Sequence, residues 1–520
     1  TIVKIAITSS VVLLCSGFAL YSFFRLSAAE GQKDFNLYEL VPSTTSAVFV
    51  TDDVLEFVAE VDELTCSKNQ QYLYVSKLFS YLKQSLYALS EDTPHGLSRQ
   101  MNQMLISFHE PDNERNQVLY CRLGNGDKEL VNRFVRKYIS SLYPPKTFIY
   151  KGEEIIIYPM ADGDFLACYL TSDFMALSFQ KKLIENVIDA YKSGKSLADD
   201  STFTGIRAPK KSAAAATIYT RMQGMIGWTE FDMKMKDDFI YFSGITHDAD
   251  TCFAFINQLR QQQSVEGFPG EVLPSTAFYF SRQGITDWVS LLSYGNAQGQ
   301  SVPARTSEVQ NRDKEFSRYL MENAGQDLVA CLFQREDTLQ GAAAVLSLSV
   351  ADVTEAERML RALVNAASAD EGRRNPRITF CYTVNKAYLV YRLPQTTLFE
   401  QLTSFAEPTL DVYAAFYGGR LLLAPDADAL AHYIRQLDKG EVLNGAMAYQ
   451  TGMDHLSDSY HFMLMADFDH IFQQSENHVR FVPDFFLRNA DFFRHFTLFV
   501  QFACADGMVY PNIVLKYKSE

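Results

Sequence analysis

One feature restricts the fold of this 520-residue chain more than any other, and it is an internal repetition. Leu40-Val41-Pro42-Ser43-Thr44 opens an apolar run through Phe49, followed by the helical pattern Val54-Leu55-Glu56-Phe57-Val58. Val272-Leu273-Pro274-Ser275-Thr276 opens a second such run, Phe278-Tyr279-Phe280, followed by Ile285 through Leu292. The two prolines are 232 residues apart, and at the same spacing Tyr150 meets Tyr382. Further on, Asp189 to Gly194 resembles the stretch ending in Gly440, now at a spacing of 246. The second copy therefore gains 14 residues between these markers, and the chain divides into two tandem modules, 38–270 and 271–520.

Within each module a period-two apolar run, a short polar turn and an apolar i, i+3, i+4 pattern recur. Ala47 to Val50 with Thr51-Asp52-Asp53 shows it, as do Leu421 to Ala424 with Pro425-Asp426, and Phe462 to Met465 with Asp467-Phe468-Asp469. The aspartates suit helix N-caps, because a carboxylate there accepts the free amide hydrogens of the first turn. Strict alternation argues for antiparallel sheets with one helix-covered face, so the expected class is α+β. Stretches at about 69–90 and 94–109 read as a helical hairpin, and the polar run 298–318 as a mobile loop.

Residues 5–24 carry no charge between Lys4 and Arg25, a length sufficient for a helix to cross a hydrocarbon core of about 30 Å. The run exceeds a signal-peptide core of roughly 7–15 residues, which favours an uncleaved anchor over 1–28, with 29–37 as linker. Two other readings stay open. Ser27-Ala28-Ala29 could serve a signal peptidase, and Cys15 could be a lipoprotein cysteine, although Leu14 before it is bulky. All three place the bulk of the chain across the membrane, with residues 5–24 as its membrane contact.

Composition narrows the function. Lys plus Arg number 47 against 62 Asp plus Glu, for a net charge of −15, which argues against nucleic acid as a partner. Seven cysteines beyond residue 15 form no CxxC pair, so they read as small buried apolar residues, with one or two disulfides open. Ser193-Gly194-Lys195-Ser196 ends like a phosphate loop, but it closes a helix instead of starting one, so a glycine C-cap is the better reading. Gly124-Asn125-Gly126 lacks the third glycine of a dinucleotide fingerprint. No GxSxG or HExxH occurs, and His455, His461, His470, His478 and His495 lack ligand-converging spacing. The expectation is a non-catalytic chain with no cofactor and no metal.

The most suggestive segment is aromatic: Phe481, Phe485, Phe486, Phe492, Phe493 and Phe496 fall within sixteen residues. On a helix they cannot share one narrow stripe, so some are expected at the edge of the buried face, as partner-binding candidates. Core packing over a wide apolar face is the competing reading.

The anchor, the acidic two-module chain and the opening Tyr38-Glu39-Leu40-Val41-Pro42 resemble a family of membrane-anchored envelope proteins of unknown function from Bacteroidota. That resemblance implies an inner-membrane, single-pass protein with its bulk in the periplasm, and implies no reaction. The leading expectation is an interaction or scaffold subunit of a cell-envelope complex, such as protein export or outer-membrane assembly, contacting other envelope proteins. A periplasmic carrier of a lipid or other apolar ligand and an enzyme without a recognisable motif are the alternatives.

Overall fold

The computed structural model describes residues 35–69, 101–109, 115–124, 127–135, 143–160, 163–207, 214–221, 227–246, 254–292, 306–335, 341–371, 378–384, 386–393, 395–403, 409, 411–474 and 482–518. The expected anchor, residues 5–24, lies outside these. Among the described residues no helix is long and apolar enough to cross a membrane.

The fold mixes helices with mostly antiparallel sheet. The first half contributes β1 (Ala47–Thr51), β2 (Met104–Phe108), β3 (Gln117–Arg122), β4 (Lys146–Tyr150), β5 (Glu153–Pro159), β6 (Phe165–Leu170), β7 (Phe174–Ser178), β8 (Ala216–Thr220), β9 (Thr229–Lys236) and β10 (Phe239–Thr246). After the short β11 (Val265–Glu266) come β12 (Ala277–Gly284), β13 (Ala324–Gln334), β14 (Ala342–Val350), β15 (Ile378–Tyr382), β16 (Ala387–Arg392), β17 (Tyr413–Tyr417) and β18 (Arg420–Ala424). The chain ends with β19 (Ser459–Tyr460), β20 (Phe462–Asp467), β21 (Phe496–Ala505) and β22 (Met508–Tyr517).

Paired strands run β4-β5-β6-β7-β3-β2-β1-β8-β9-β10 in the first half. In the second they run β15-β16-β17-β18-β14-β13-β12-β20-β21-β22, the same order element for element. The last strand of each half then pairs with the other, β10 with β22, in antiparallel register. The sequence places a sheet in each module, whereas the ladder is continuous across twenty strands. Lys236 and Ala505 precede matching hairpin turns 269 residues apart, and at that spacing Ser243 corresponds to Asn512. These two residues pair with each other. An approximate two-fold axis therefore passes through the seam.

The repeated sequence markers meet repeated hydrogen bonds. The Leu197 amide donates to the Val41 carbonyl (2.8 Å) and the Leu443 amide to the Leu273 carbonyl (2.9 Å). Isolated bridges join Pro42 to Ser196 and Pro274 to Val442. Gly194 caps its helix in the left-handed region (φ 63°), as the C-cap reading requires, and Gly440 adopts φ 77° at the matching place. Asp53, Asp426 and Asp467 accept first-turn amides as N-caps. Most of the additional residues fall between β16 and β17, where Arg392 and Tyr413 enclose twenty residues and their ladder equivalents Ile157 and Ala167 enclose nine; the longer stretch includes the helix Leu398–Leu402.

Four expectations are corrected. First, helices cover both faces of the sheet, not one. Met104 and Ile106 of β2 enter one core while Leu105 enters another, and Leu328 and Val329 of β13 divide in the same way. On one face the helix Val54–Glu63 and residues 288–292 pack; on the other, Lys181–Ser193 and Ala427–Asp438. Second, residues 104–108 form a strand; the run Met104-Leu105-Ile106 is apolar throughout because both of its faces are buried, which leaves no period to read. Residues 70–100 lie outside the described residues. Third, within the polar run 298–318, Ser307 begins a helix that continues to Asn323, capped by Thr306. Its buried face includes Arg312 and Asp313, and Asp313 accepts hydrogen bonds from the Thr397 amide (2.9 Å) and the Thr396 hydroxyl (2.7 Å).

Fourth, Tyr150 is not the counterpart of Tyr382. Ile155 pairs with Phe148, and its ladder equivalent Val390 pairs with Thr379, so Tyr150 corresponds to Cys381. One residue of slip sends each side chain to the opposite face.

Candidate interaction surface at the seam

Eight residues, 221–228, connect β8 to β9, whereas twenty-eight, 468–495, connect the equivalent β20 to β21. The aromatic segment is thus an insertion peculiar to the second half, placed beside the seam. Asp467 starts it. Its carboxylate accepts the Asp469 amide (3.0 Å), receives the Lys518 ammonium (2.7 Å) and faces His470 Nδ1 at 3.4 Å. Burial works against its charge, but the hydrogen bonds from His470 and Lys518 outweigh it and hold the carboxyl below its usual range. The same bond pushes the His470 imidazole up.

From this cap the chain builds a continuous stack of rings. Phe468 lies 4.9 Å from Phe486 and 5.4 Å from Phe472; Phe486 meets Phe493 edge-on at 4.8 Å; Phe492 reaches Phe496 at 4.9 Å. Phe496 closes the series against Tyr517 of β22 at 5.4 Å. Offset and edge-on pairs of this kind add about 0.5–1.5 kcal/mol each to the area they bury. Phe472 and Phe486 touch the cores of both halves on this face, so the insertion bridges the two cores.

The six expected phenylalanines separate by depth. Phe493 and Phe496 are core residues, Phe486 and Phe492 are half-buried, and Phe485 remains 40% exposed, with Leu487 exposed nearby. Phe485 still contacts Phe486 (5.6 Å) and Phe493 (5.6 Å), so a hard apolar base supports it. Phe481 lies outside the described residues. Phe468, which the sequence shows only within a cap turn, and Phe472, which it does not single out, are part of the same stack; their i, i+4 spacing is the signal that could find them.

The histidines stand apart from one another. His455 packs on Phe239 at 4.4 Å, His461 Nδ1 accepts the Cys504 amide at 3.2 Å, and His495 lies 6.3 Å from Tyr517. His478 lies outside the described residues, among which no group of three or more His, Cys, Asp and Glu is placed to hold a metal ion. Cys66, Cys121, Cys168, Cys331 and Cys381 are buried and free, and burial pushes the Cys121 and Cys168 thiols up to about 12.

A second polar cluster escaped the sequence reading because its members lie on three separate strands. Asp327 of β13 is nearly buried between Arg282 of β12 (3.0 Å) and Arg420 of β18 (3.2 Å). Arg420 Nε also donates to the Ser347 hydroxyl (2.6 Å), and Arg282 donates to the Gly267 carbonyl (2.8 Å), tying β11 to the body. Burial opposes ionisation of Asp327, but Arg420, Ser349 and Arg282 together hold its carboxyl low.

No protein-family model, curated protein or solved structure matches this chain.

Proposed function

We propose that this chain is a non-catalytic interaction subunit of the bacterial cell envelope, held at the inner membrane through residues 5–24 with its sheet in the periplasm. In this reading it consists of two tandem modules descended from one duplicated unit. The equal strand orders and the repeated Pro42 and Pro274 bridges support the duplication. The anchor rests on the uncharged run in the sequence.

The observation that carries the interaction role is Phe485. It stands exposed, with Leu487, on a rigid aromatic base in a segment that the otherwise equivalent first half lacks. A large apolar side chain set on a preorganised base is what an interface anchor requires, because little side-chain entropy is lost on docking. Such a subunit would meet other envelope proteins at this point, within an export or outer-membrane assembly complex.

Crosslinking followed by detergent extraction and affinity recovery of the full chain tests this. A stoichiometric partner should be recovered with the wild type and lost when Phe485→Glu and Leu487→Glu are introduced, with unfolding unchanged. A chain recovered alone, or a partner indifferent to both substitutions, would refute the role assigned to this site.

A further inference from the structure

Arg282 and Arg420 share the carboxylate of Asp327, and Arg312 reaches that of Glu308 at 2.6 Å. Arg260 breaks this pattern. It ends the helix Ala254–Arg260, which follows β10, and none of its three guanidinium nitrogens has a hydrogen-bond partner although all three are buried. A guanidinium does not shed its proton at ordinary pH, so burial without an acceptor is a standing penalty on the fold. The same helix holds a second donor in this state. Gln258, 4% exposed, accepts from Gln283 Nε2 (2.9 Å) through its Oε1, but its own Nε2 is buried without an acceptor.

The surroundings of Arg260 are apolar and incompletely covered. Phe255 of this helix lies 5.2 Å from Phe462 at the start of β20 and 6.0 Å from Phe502 of β21, and those two rings are 5.9 Å apart. All three are half-buried. Cys504, two residues beyond Phe502 on the same face of the strand, lies beside Arg260: burial pushes its thiol up to about 11, and the guanidinium charge works in the opposite direction. The first half shows the same ladder positions closed. The equivalents of Phe462 and Phe502 are Ala216 and Met233, which likewise pair with each other and are 3% and 2% exposed. Positions that one half buries are therefore left half-open in the other, next to a charge that lacks its counter-ion.

We propose that Arg260 and these three rings bind a small amphiphilic anion, a carboxylate or phosphate head on a short hydrocarbon body. The head supplies the acceptors that the guanidinium lacks, and both head types match its fork of N–H donors in a bidentate manner. The body covers Phe255, Phe462 and Phe502, as the apolar lining of a ligand site does. A bare anion would leave the rings uncovered, and a neutral apolar molecule would leave the charge unanswered, so affinity requires both parts. The site shares no residue with the aromatic insertion and is independent of what Phe485 binds.

Isothermal titration calorimetry of the full chain in a non-ionic detergent tests this with hexanoate and hexyl phosphate, chosen short so that micelles compete little for them, against acetate, inorganic phosphate and hexanol. At least one of the two amphiphiles should bind saturably, the tighter of them identifying the head, and the three partial probes should bind about tenfold more weakly or worse. Arg260→Met should weaken the amphiphile by a similar factor, and Phe502→Ala should weaken it while leaving the bare anions unchanged. Thermal unfolding without added ligand gives an independent reading: Arg260→Met should raise the midpoint, because it removes a buried charge that nothing neutralises. A lowered midpoint would show that the guanidinium already has a partner within the chain, and would overturn the proposal. So would the absence of saturable binding by either amphiphile, a bare anion that binds as tightly as they do, or Arg260→Met binding them like the wild type.

Discussion

At the ladder position where the first half buries Phe174, the second half places Arg420, and the neighbours follow: Val50 and Gln103 correspond to Arg282 and Asp327. In the first half the site is an aromatic stack, with Phe174 lying 4.8 Å from Phe35, 5.2 Å from Tyr169 and 5.5 Å from Tyr191. In the second it is a carboxylate gripped by two guanidinium groups. The same backbone therefore accepts an apolar or an ionic filling. What the fold demands at this place is occupied volume, and charge itself is optional.

The largest effect should come from breaking one filling halfway. Asp327→Ala leaves two facing guanidinium groups without their counter-ion and should cost about 3–5 kcal/mol, read from the midpoint of urea unfolding. Converting the whole site to its first-half form, with Arg282→Val, Asp327→Gln and Arg420→Phe together, should recover most of that loss. If the triple change is as damaging as the single one, the two sites are not interchangeable and the comparison fails.

The aromatic stack gives the next test, because it exists in one half only. Phe496→Ala removes a fully buried ring at the seam and should cost about 3–5 kcal/mol. Phe485→Ala, four-tenths exposed, should cost less than about 1 kcal/mol. Equal losses in denaturant titrations would mean that Phe485 is as deeply packed in solution as Phe496.

The halves should also respond to acid with opposite sign. His109, in the first, is pushed down to about 4 by burial. Below the unfolded value of about 6.5 the unfolded chain takes up a proton that the folded chain refuses, so stability falls as pH drops through that window, by up to about 3 kcal/mol. His470, in the second, is raised by Asp467, so its contribution is complete below about 6.5 and disappears as pH rises through its folded value. His109→Gln should flatten the acid loss and His470→Gln should deepen it, as followed by thermal unfolding on either side of the window.

A smaller effect lies at the axis. Gly244 of β10 has Ile513 as its counterpart, and a Cβ on Gly244 would stand 2.7 Å from the Phe231 ring and from Pro511. Gly244→Ala should cost about 1–3 kcal/mol, whereas Ile513→Val should cost about 0.5–1.5. Calorimetry of the two variants would show whether the seam is packed as unevenly as its sequence.

Much of the fold was legible because it depends on neighbours in the chain. Asp53, Asp426 and Asp467 declared their helices, and Gly194 its helix end, since a cap needs only three or four residues to form. The spacings from Pro42 to Pro274 and from Gly194 to Gly440 exposed the repetition. β2 was misread because a strand buried on both faces has no period, and the helix from Ser307 was misread because its inner face includes a paired arginine and aspartate. In the candidate site, the clustering of phenylalanines was visible, but their depth was not: Phe485 and Phe496 look alike in one dimension.

By itself, then, the sequence determined local elements such as the helix caps and the spacing of the repeated markers. Each follows from hydrogen bonds and periodicities that close within a few residues or from identity between two stretches. Only the tertiary structure decided that β10 and β22 join the halves into one sheet, that Tyr150 corresponds to Cys381, and that Asp327 meets Arg282 and Arg420. Those outcomes depend on register and on contacts between distant strands, and register is set by how two buried faces fit together, a property that no single segment carries.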